Sequence, residues 1–240
     1  MRSLTRDEAF RIDSAATHEF GIPSLLLMEC AGLATARFAL SFAESTNAAS
    51  FVVVAGPGNN GGDGLVAARH LANRSPLPLQ VLLCASDKDL ERQSPEARLQ
   101  SEILARSKLD VNRFRTESDF ASARRPLFDP TALVIDALFG IGLRRPLAGR
   151  DLALVEAMNE SGARIVAVDV PSGLDADTGV PLGAAVRAAA TIPFGAPKTG
   201  LLLPSARAHT GRVAVAEIGF PRSLLGIEPG LTQPDWLWLD

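Results

Sequence analysis

Four short runs of apolar, mostly β-branched residues constrain this chain more than any other feature: 51–55 (FVVVA), 79–84 (LQVLLC), 132–138 (ALVIDAL) and 164–170 (RIVAVDV). Runs of this kind have no polar face, so as strands they must be covered on both sides of their sheet. Between them, residues 62–72, 95–107 and 151–161 repeat their apolar positions at helical spacing, and two more apolar runs follow at 188–193 and 212–218. Two helices lead, over 5–19 and 23–43, with Thr5 and Ser24 available as caps. The alternation predicts an α/β fold: a mostly parallel, doubly wound sheet with helices on both faces and the leading helices packed at an edge. Residues 110–130 are the least regular and most charged, and read as a surface connection with a short helix. No internal repeat or low-complexity linker divides the 240 residues, so a single domain is expected.

Charge and composition narrow the partners. With 24 basic against 27 acidic side chains and a net charge of −3, the chain has no electrostatic footprint for nucleic acid or an anionic membrane. Aromatic residues make up 5% and tyrosine is absent, which supplies no stacking platform for single strands. The longest apolar stretch, 21–43, is interrupted by Glu29 and Arg37 and therefore reads as a buried amphipathic helix rather than a membrane span. Cys30 and Cys84 suit neither a disulfide framework nor a zinc site, and Cys30 is expected as a small core residue. The expected setting is cytoplasmic, with small-molecule chemistry and no nucleic acid or membrane partner.

In a doubly wound sheet, ligands bind beyond the carboxyl ends of the strands. Three polar, glycine-rich loops follow strands here: GPGNNGGDG (56–64), DALFGIGLRR (136–145) and DVPSGLD (169–175). Gly56, Gly58 and Gly61 match the spacing of a dinucleotide fingerprint, in which glycines admit a pyrophosphate at a helix N-terminus. Asp87 and Asp89 lie somewhat late for its ribose-binding carboxylate. A bare carboxylate beside a phosphate is repelled, so Asp63 argues that the loop does more than hold phosphate; the bland alternative is that Asn60 and Asp63 cap the next helix. Asn60, Asp136 and Ser172 offer only neutral or anionic oxygens, which select a hard and preferably monovalent cation over zinc. Equally, Asp136 caps a turn and Ser172 bonds its own backbone. His18, His70 and His209 are scattered and read as structural or solvent-facing; Lys198 could face a phosphate or a carboxylate on the rim, although a lone turn lysine is more often solvated.

The loops taken together, with IDSAATHEFGIPSLLLMECAG near the start and FGAPKTGLLLPSARAHTGRVAVAEIGFP near the end, resemble the YjeF N-terminal domain family over about residues 4–221. Residues 222–240 are left as a tail, and Cys30 departs from the asparagine many members carry. The resemblance implies a three-layer αβα Rossmann-like sandwich, a homodimer, and NAD(P)H-hydrate epimerase activity without a fused dehydratase domain, so that dehydration of the hydrate falls to a separate protein. It further implies that Asn59, Asn60, Gly61, Gly62 and Asp63 contact the hydrated nucleotide (NADHX or NADPHX), together with Gly140, Ile141, Gly142, Leu143, Arg144, Arg145, Pro146 and Asp169. Asn60, Asp136 and Ser172 would hold one potassium ion per subunit.

The implied substrate carries its hydroxyl on C6, a hemiaminal carbon bonded to the ring nitrogen. The nitrogen lone pair can expel that hydroxyl and water can return on the other face, which needs an acid and a base but no redox step. Asp169, with Asp63 second, is the expected acid/base residue. A dehydrogenase or a non-catalytic scaffold of the same fold are the competing functions.

Overall fold

The computed structural model describes residues 2–107, 109–121, 128–227 and 236–239. Two helices come first, α1 (Arg6–His18) and α2 (Ser24–Thr46), followed by β1 (Ser50–Ala55), α3 (Asn59–Arg74), β2 (Leu79–Cys84), α4 (Asp87–Glu91) and α5 (Pro95–Arg106). Then come β3 (Asp110–Phe114), α6 (Glu117–Ala121), β4 (Ala132–Ala137), α7 (Gly149–Glu160), β5 (Arg164–Val168) and β6 (Ala190–Ile192). The chain continues through α8 (Arg207–Thr210), β7 (Arg212–Ala216), α9 (Arg222–Leu225) and β8 (Trp236–Leu239). The described strands form one sheet in the order β3-β2-β1-β4-β5-β6-β7-β8, parallel except for the β7/β8 pair.

Alternate residues of each central strand feed two separate cores, as period-two side chains require. Phe51, Val53, Leu133, Ile135, Val166 and Val168 meet α2, α3 and α5 on one face; Val52, Val54, Val134, Ile165 and Ala167 meet Leu154, Val155 and Met158 of α7 on the other. This is the expected three-layer α/β arrangement, with one correction. The helix α2 does not sit at an edge: it packs along α3 and into the face core through Phe38, which is 1% exposed. The Phe38 ring lies 5.4 Å from each of Trp236 and Trp238, so β8 closes the far edge against α2. Burying a ring of this size contributes about 1.5–3 kcal/mol.

Several features escaped the sequence reading, among them the short helices α4 and α8. The charged stretch at 110–130 contains an edge strand, β3, and part of it (122–127) falls outside the described residues. The supposed tail contains α9 and β8. The third helix starts at Asn59, three residues before the apolar periodicity does, because polar residues and glycines occupy its first turn.

Strand order fixes where a ligand goes. From β1 the chain moves outward to β2 and β3, then crosses back to β4 on the other side of β1. The crevice between the loops after β1 and β4 is therefore the topological switch point, where open α/β sheets bind ligands.

Candidate active site

A cavity of about 770 Å³ opens at that crevice, within the usual range for a small-molecule site. The carboxyl ends of the strands contribute Asn59, Asn60 and Asp63 of the first turn of α3 after β1, residues 140–145 after β4, and Asp169 after β5; α1 and α2 form the opposing helical wall. Of the sequence-predicted contacts, Gly61, Gly62 and Pro146 are not on the cavity wall, and Asp136 and Ser172 lie buried beyond it.

The fingerprint glycines serve chain packing. A Cβ on Gly56 would fall 1.9 Å from the Leu138 carbonyl oxygen, and one on Gly61 would fall 1.9 Å from the Gly56 oxygen. The Gly56 N–H also donates to the Ala137 oxygen at 3.0 Å. The three strands of backbone are thus pressed together, which holds the first turn of α3 against the β4 loop. Gly58 has open space around it and is the N-cap of α3, with no side-chain cap, so Asn60 and Asp63 are free of the capping role. Instead the Asn59 Oδ1 accepts from Ser94 Oγ at 2.6 Å.

Below the cavity, Asp136 is fully buried at the end of β4. Its Oδ2 accepts from Ser172 N at 2.8 Å, and its Oδ1 from Ser172 Oγ at 2.6 Å and Leu138 N at 3.3 Å. Ser172 Oγ in turn accepts from Phe139 N at 2.8 Å and lies 3.2 Å from the Phe139 oxygen. Asp136 braces the turn at Leu138 as a cap would, whereas Ser172 Oγ bonds Asp136 and the Phe139 backbone rather than its own. The Asn60 Oδ1 and Cγ lie 3.2 Å from where a Gly140 Cβ would sit, so this side chain reaches across to the same turn, and its buried Nδ2 has no partner among the described residues. A buried carboxylate bonded only to neutral donors, with a hydroxyl and a carbonyl oxygen beside it and a carboxamide reaching the same turn, fits a hard cation of low charge.

Burial pushes the Asp136 carboxyl up to about 6, partly opposed by its bonds from Ser172 and Leu138. With the folded value above the unfolded one, the native state binds the extra proton, so stability is lost as pH rises from about 4 to about 6. In tetramethylammonium buffers, wild type should lose about 2–3 kcal/mol more than Asp136→Asn across that window. Urea melts at several pH values check this; parallel curves would refute it.

The acid/base candidates gather around one ammonium. Asp169 follows β5 with φ of +62°, a left-handed conformation that Asp tolerates better than most residues. That turn points its carboxylate at Lys198, and the two form an ion pair whose side chains are 11% and 4% exposed. Lys198 also donates to the Phe194 oxygen at 3.2 Å. Of the two readings of Lys198, the structure shows the one facing a carboxylate on the rim and not the solvated one: GAPKTG brings it to the cavity, a long-range contact that local composition does not encode. Asp63 is half-buried on the cavity wall. Enclosure by protein, then the charges of Asp169 and Asp13, hold its carboxyl well above the usual range, with Lys198 opposing. Asp13, on α1, also lines the cavity, and sequence reasoning missed it because one aspartate on an amphipathic helix looks like a solvated face.

The remaining candidates are peripheral. Arg144 is exposed, 3.7 Å from Asp7 across the cavity mouth. His70 pairs with Glu29 at 2.8 Å, and His18 and His209 bond backbone oxygens of Ser14 and Val186, as structural residues do. Cys30 is exposed rather than in the core, since α2 turns that side outward.

The family described as YjeF-related protein N-terminus matches residues 24–200, which contain all three loops. The chain belongs to this family. Among its relatives, the NAD(P)H-hydrate epimerase of Limosilactobacillus fermentum is 40% identical over 218 residues, covering 90% of this chain and 96% of that protein. The bifunctional NAD(P)H-hydrate repair enzyme Nnr of Thermofilum pendens is 42% identical over 216 residues, 89% of this chain. This chain spans only 39% of that longer relative. The crystal structure of yeast YNL200c superposes with a TM-score of 0.78 at 25% identity, covering 100% of both chains. In this YjeF-related chain, Leu4, Asp13 and Thr17 line the cavity although they precede the matched segment.

Proposed function

We propose that this chain interconverts the R and S epimers of NAD(P)H hydrate at C6, the activity for which its stand-alone relatives are named. The observation that carries the reading is the juxtaposition in one cavity of Asp63, whose enclosure favours the protonated form, and Asp169, ion-paired with buried Lys198. One carboxyl can protonate the departing hydroxyl and the other can take a proton from returning water. The cavity carboxylates favour the cationic ring formed between those events. Neither step needs a hydride acceptor, which separates the site from that of a dehydrogenase.

The oxygens of Asn60, Asp136 and Ser172 would seat one potassium ion per subunit. When bound, the ion neutralises the buried Asp136 charge and ties the β4 turn to the first turn of α3, both of which line the cavity. Melting temperature in potassium should exceed that in tetramethylammonium, and the difference should vanish in Asp136→Asn. Equal melting in both salts would sink the cation assignment. The fuller reading is a cytoplasmic homodimer coupled to a dehydratase that consumes one epimer.

The direct test mixes the protein with the R epimer and a dehydratase that accepts only S, and follows near-ultraviolet absorbance of the regenerated dihydronicotinamide. Faster conversion of R than with dehydratase alone is expected. An unchanged rate would overturn the proposal.

A further inference from the structure

Inversion at a carbon that loses and regains its hydroxyl demands proton transfer on both faces of the ring. Asp63, in the first turn of α3, and Asp169, in the turn after β5, both reach the cavity from the carboxyl ends of their strands. The helical side is built from α1 and α2, with Ala9, Asp13 and Thr17 of α1 following one another at four-residue spacing along one face. The charged groups lining the cavity are Asp13, Asp63, Glu96, Arg144, Arg145, Asp169 and Lys198. Of these, Asp13 is the one that α1 supplies. We propose that Asp13 is the second proton-transferring carboxylate of the site, serving the ring face turned toward α1 while Asp63 and Asp169 serve the other.

Its position is fixed by unusual means. Thr5 and Glu8 form a reciprocal cap that starts α1. Immediately before it, Leu4 N donates to the Pro197 oxygen and Thr199 N donates to the Leu4 oxygen, both at 2.8 Å, so the segment is stitched to the backbone on either side of Lys198. Arg6 adds a 2.7 Å bond to Asp175 and a backbone bond of 2.7 Å to Asp177. Asp13 lies seven residues beyond Arg6, about 10 Å along the helix. The helix is thereby registered to the same turn that carries the lysine.

Its chemistry agrees. The Asp13 carboxylate faces the cavity and accepts no hydrogen bond from any described residue, leaving both oxygens available to a ligand. Asp13 is exposed on the cavity wall, and the protein packed around it, then the charge of Asp169, push its carboxyl up to about 6, with Lys198 opposing. A group that exchanges its proton near neutrality is suited to both giving and taking one. In one direction the protonated carboxyl on one side donates as the C6–O bond breaks and the nitrogen lone pair forms the C=N bond, releasing water. Water then adds to the opposite face, the C=N electrons return to nitrogen, and the carboxylate on that side accepts the proton. One proton is given and one taken, with no oxidant involved.

The inference rests on the epimerase reading, and oxygen-isotope exchange separates the two. In water enriched in oxygen-18, wild type should both invert C6 and incorporate the label. Asp13→Asn should slow inversion by about 10²–10⁴-fold, with KM little changed. Label uptake with retention should persist in that variant, because Asp63 and Asp169 still serve one face. Asp13→Glu should restore inversion at least in part and shift its pH profile. Inversion in Asp13→Asn near the wild-type rate would overturn the proposal, as would inversion and exchange falling by the same factor. If Asp13→Asn fails to fold, an unshifted pH profile in Asp13→Glu overturns it instead. Absence of both inversion and exchange in wild type would remove the epimerase reading itself, and this one with it.

Discussion

Asp169→Asn should lower the epimerisation rate by about 10²–10⁴-fold, the usual contribution of a positioned proton-transfer group. Asparagine is compatible with the left-handed backbone at this position, so the turn after β5 should keep its shape. The charge is another matter. Lys198 would be left as a buried ammonium whose carboxylate partner is gone, a situation that costs about 3–5 kcal/mol. Lost activity in the single variant therefore mixes two effects. The double variant Asp169→Asn, Lys198→Met removes both charges and should regain much of the lost stability while remaining inactive. Chemical melts and rates on both variants separate the contributions. Activity returning together with stability would show that Asp169 serves only to neutralise the buried charge of Lys198.

Gly61→Ala should be nearly as damaging by a different route. Its new methyl would sit 1.9 Å from the Gly56 oxygen, and Gly56 is itself held against Leu138 and bonded to Ala137. No flexible side chain can yield, so the first turn of α3 must move away from the β4 turn. We expect a loss of about 3 kcal/mol, at the upper end for overpacking. Asn60 and Asp63 flank the substituted residue, and a displacement near 1 Å at a reacting centre costs about 10²-fold in rate. Gly58→Ala, with open space around it, should change stability by no more than about 1 kcal/mol. If the two variants melt alike, the close packing of Gly56 and Gly61 is not what confines residue 61 to glycine.

The central strands were legible because burial on both faces leaves an unmistakable apolar run, as in residues 51–55 and 132–138. The edges were not: β3 carries Asp110, Asn112 and Arg113, and an edge strand with polar residues has no such signature. At the site, strand-end loops could be found by order along the chain, so Asn60, Asp63, Asp136, Asp169 and Ser172 were identifiable. Lys198 and Asp13 reach the same cavity only through tertiary pairing, from turns and helices whose local pattern suggests solvent. The glycine spacing was visible, but its cause, backbone pressed on backbone, belongs to three segments distant in sequence.

The stitching of Leu4 to the residues flanking Lys198 also bears on synthesis. During translation α1 emerges well before residues 197–199, to which the preceding Leu4 is bonded. Contacts spanning so much of the chain close late and slowly. The cavity is thus complete only once residues near 200 have been made, and residues 2–18 should remain open to proteolysis until then.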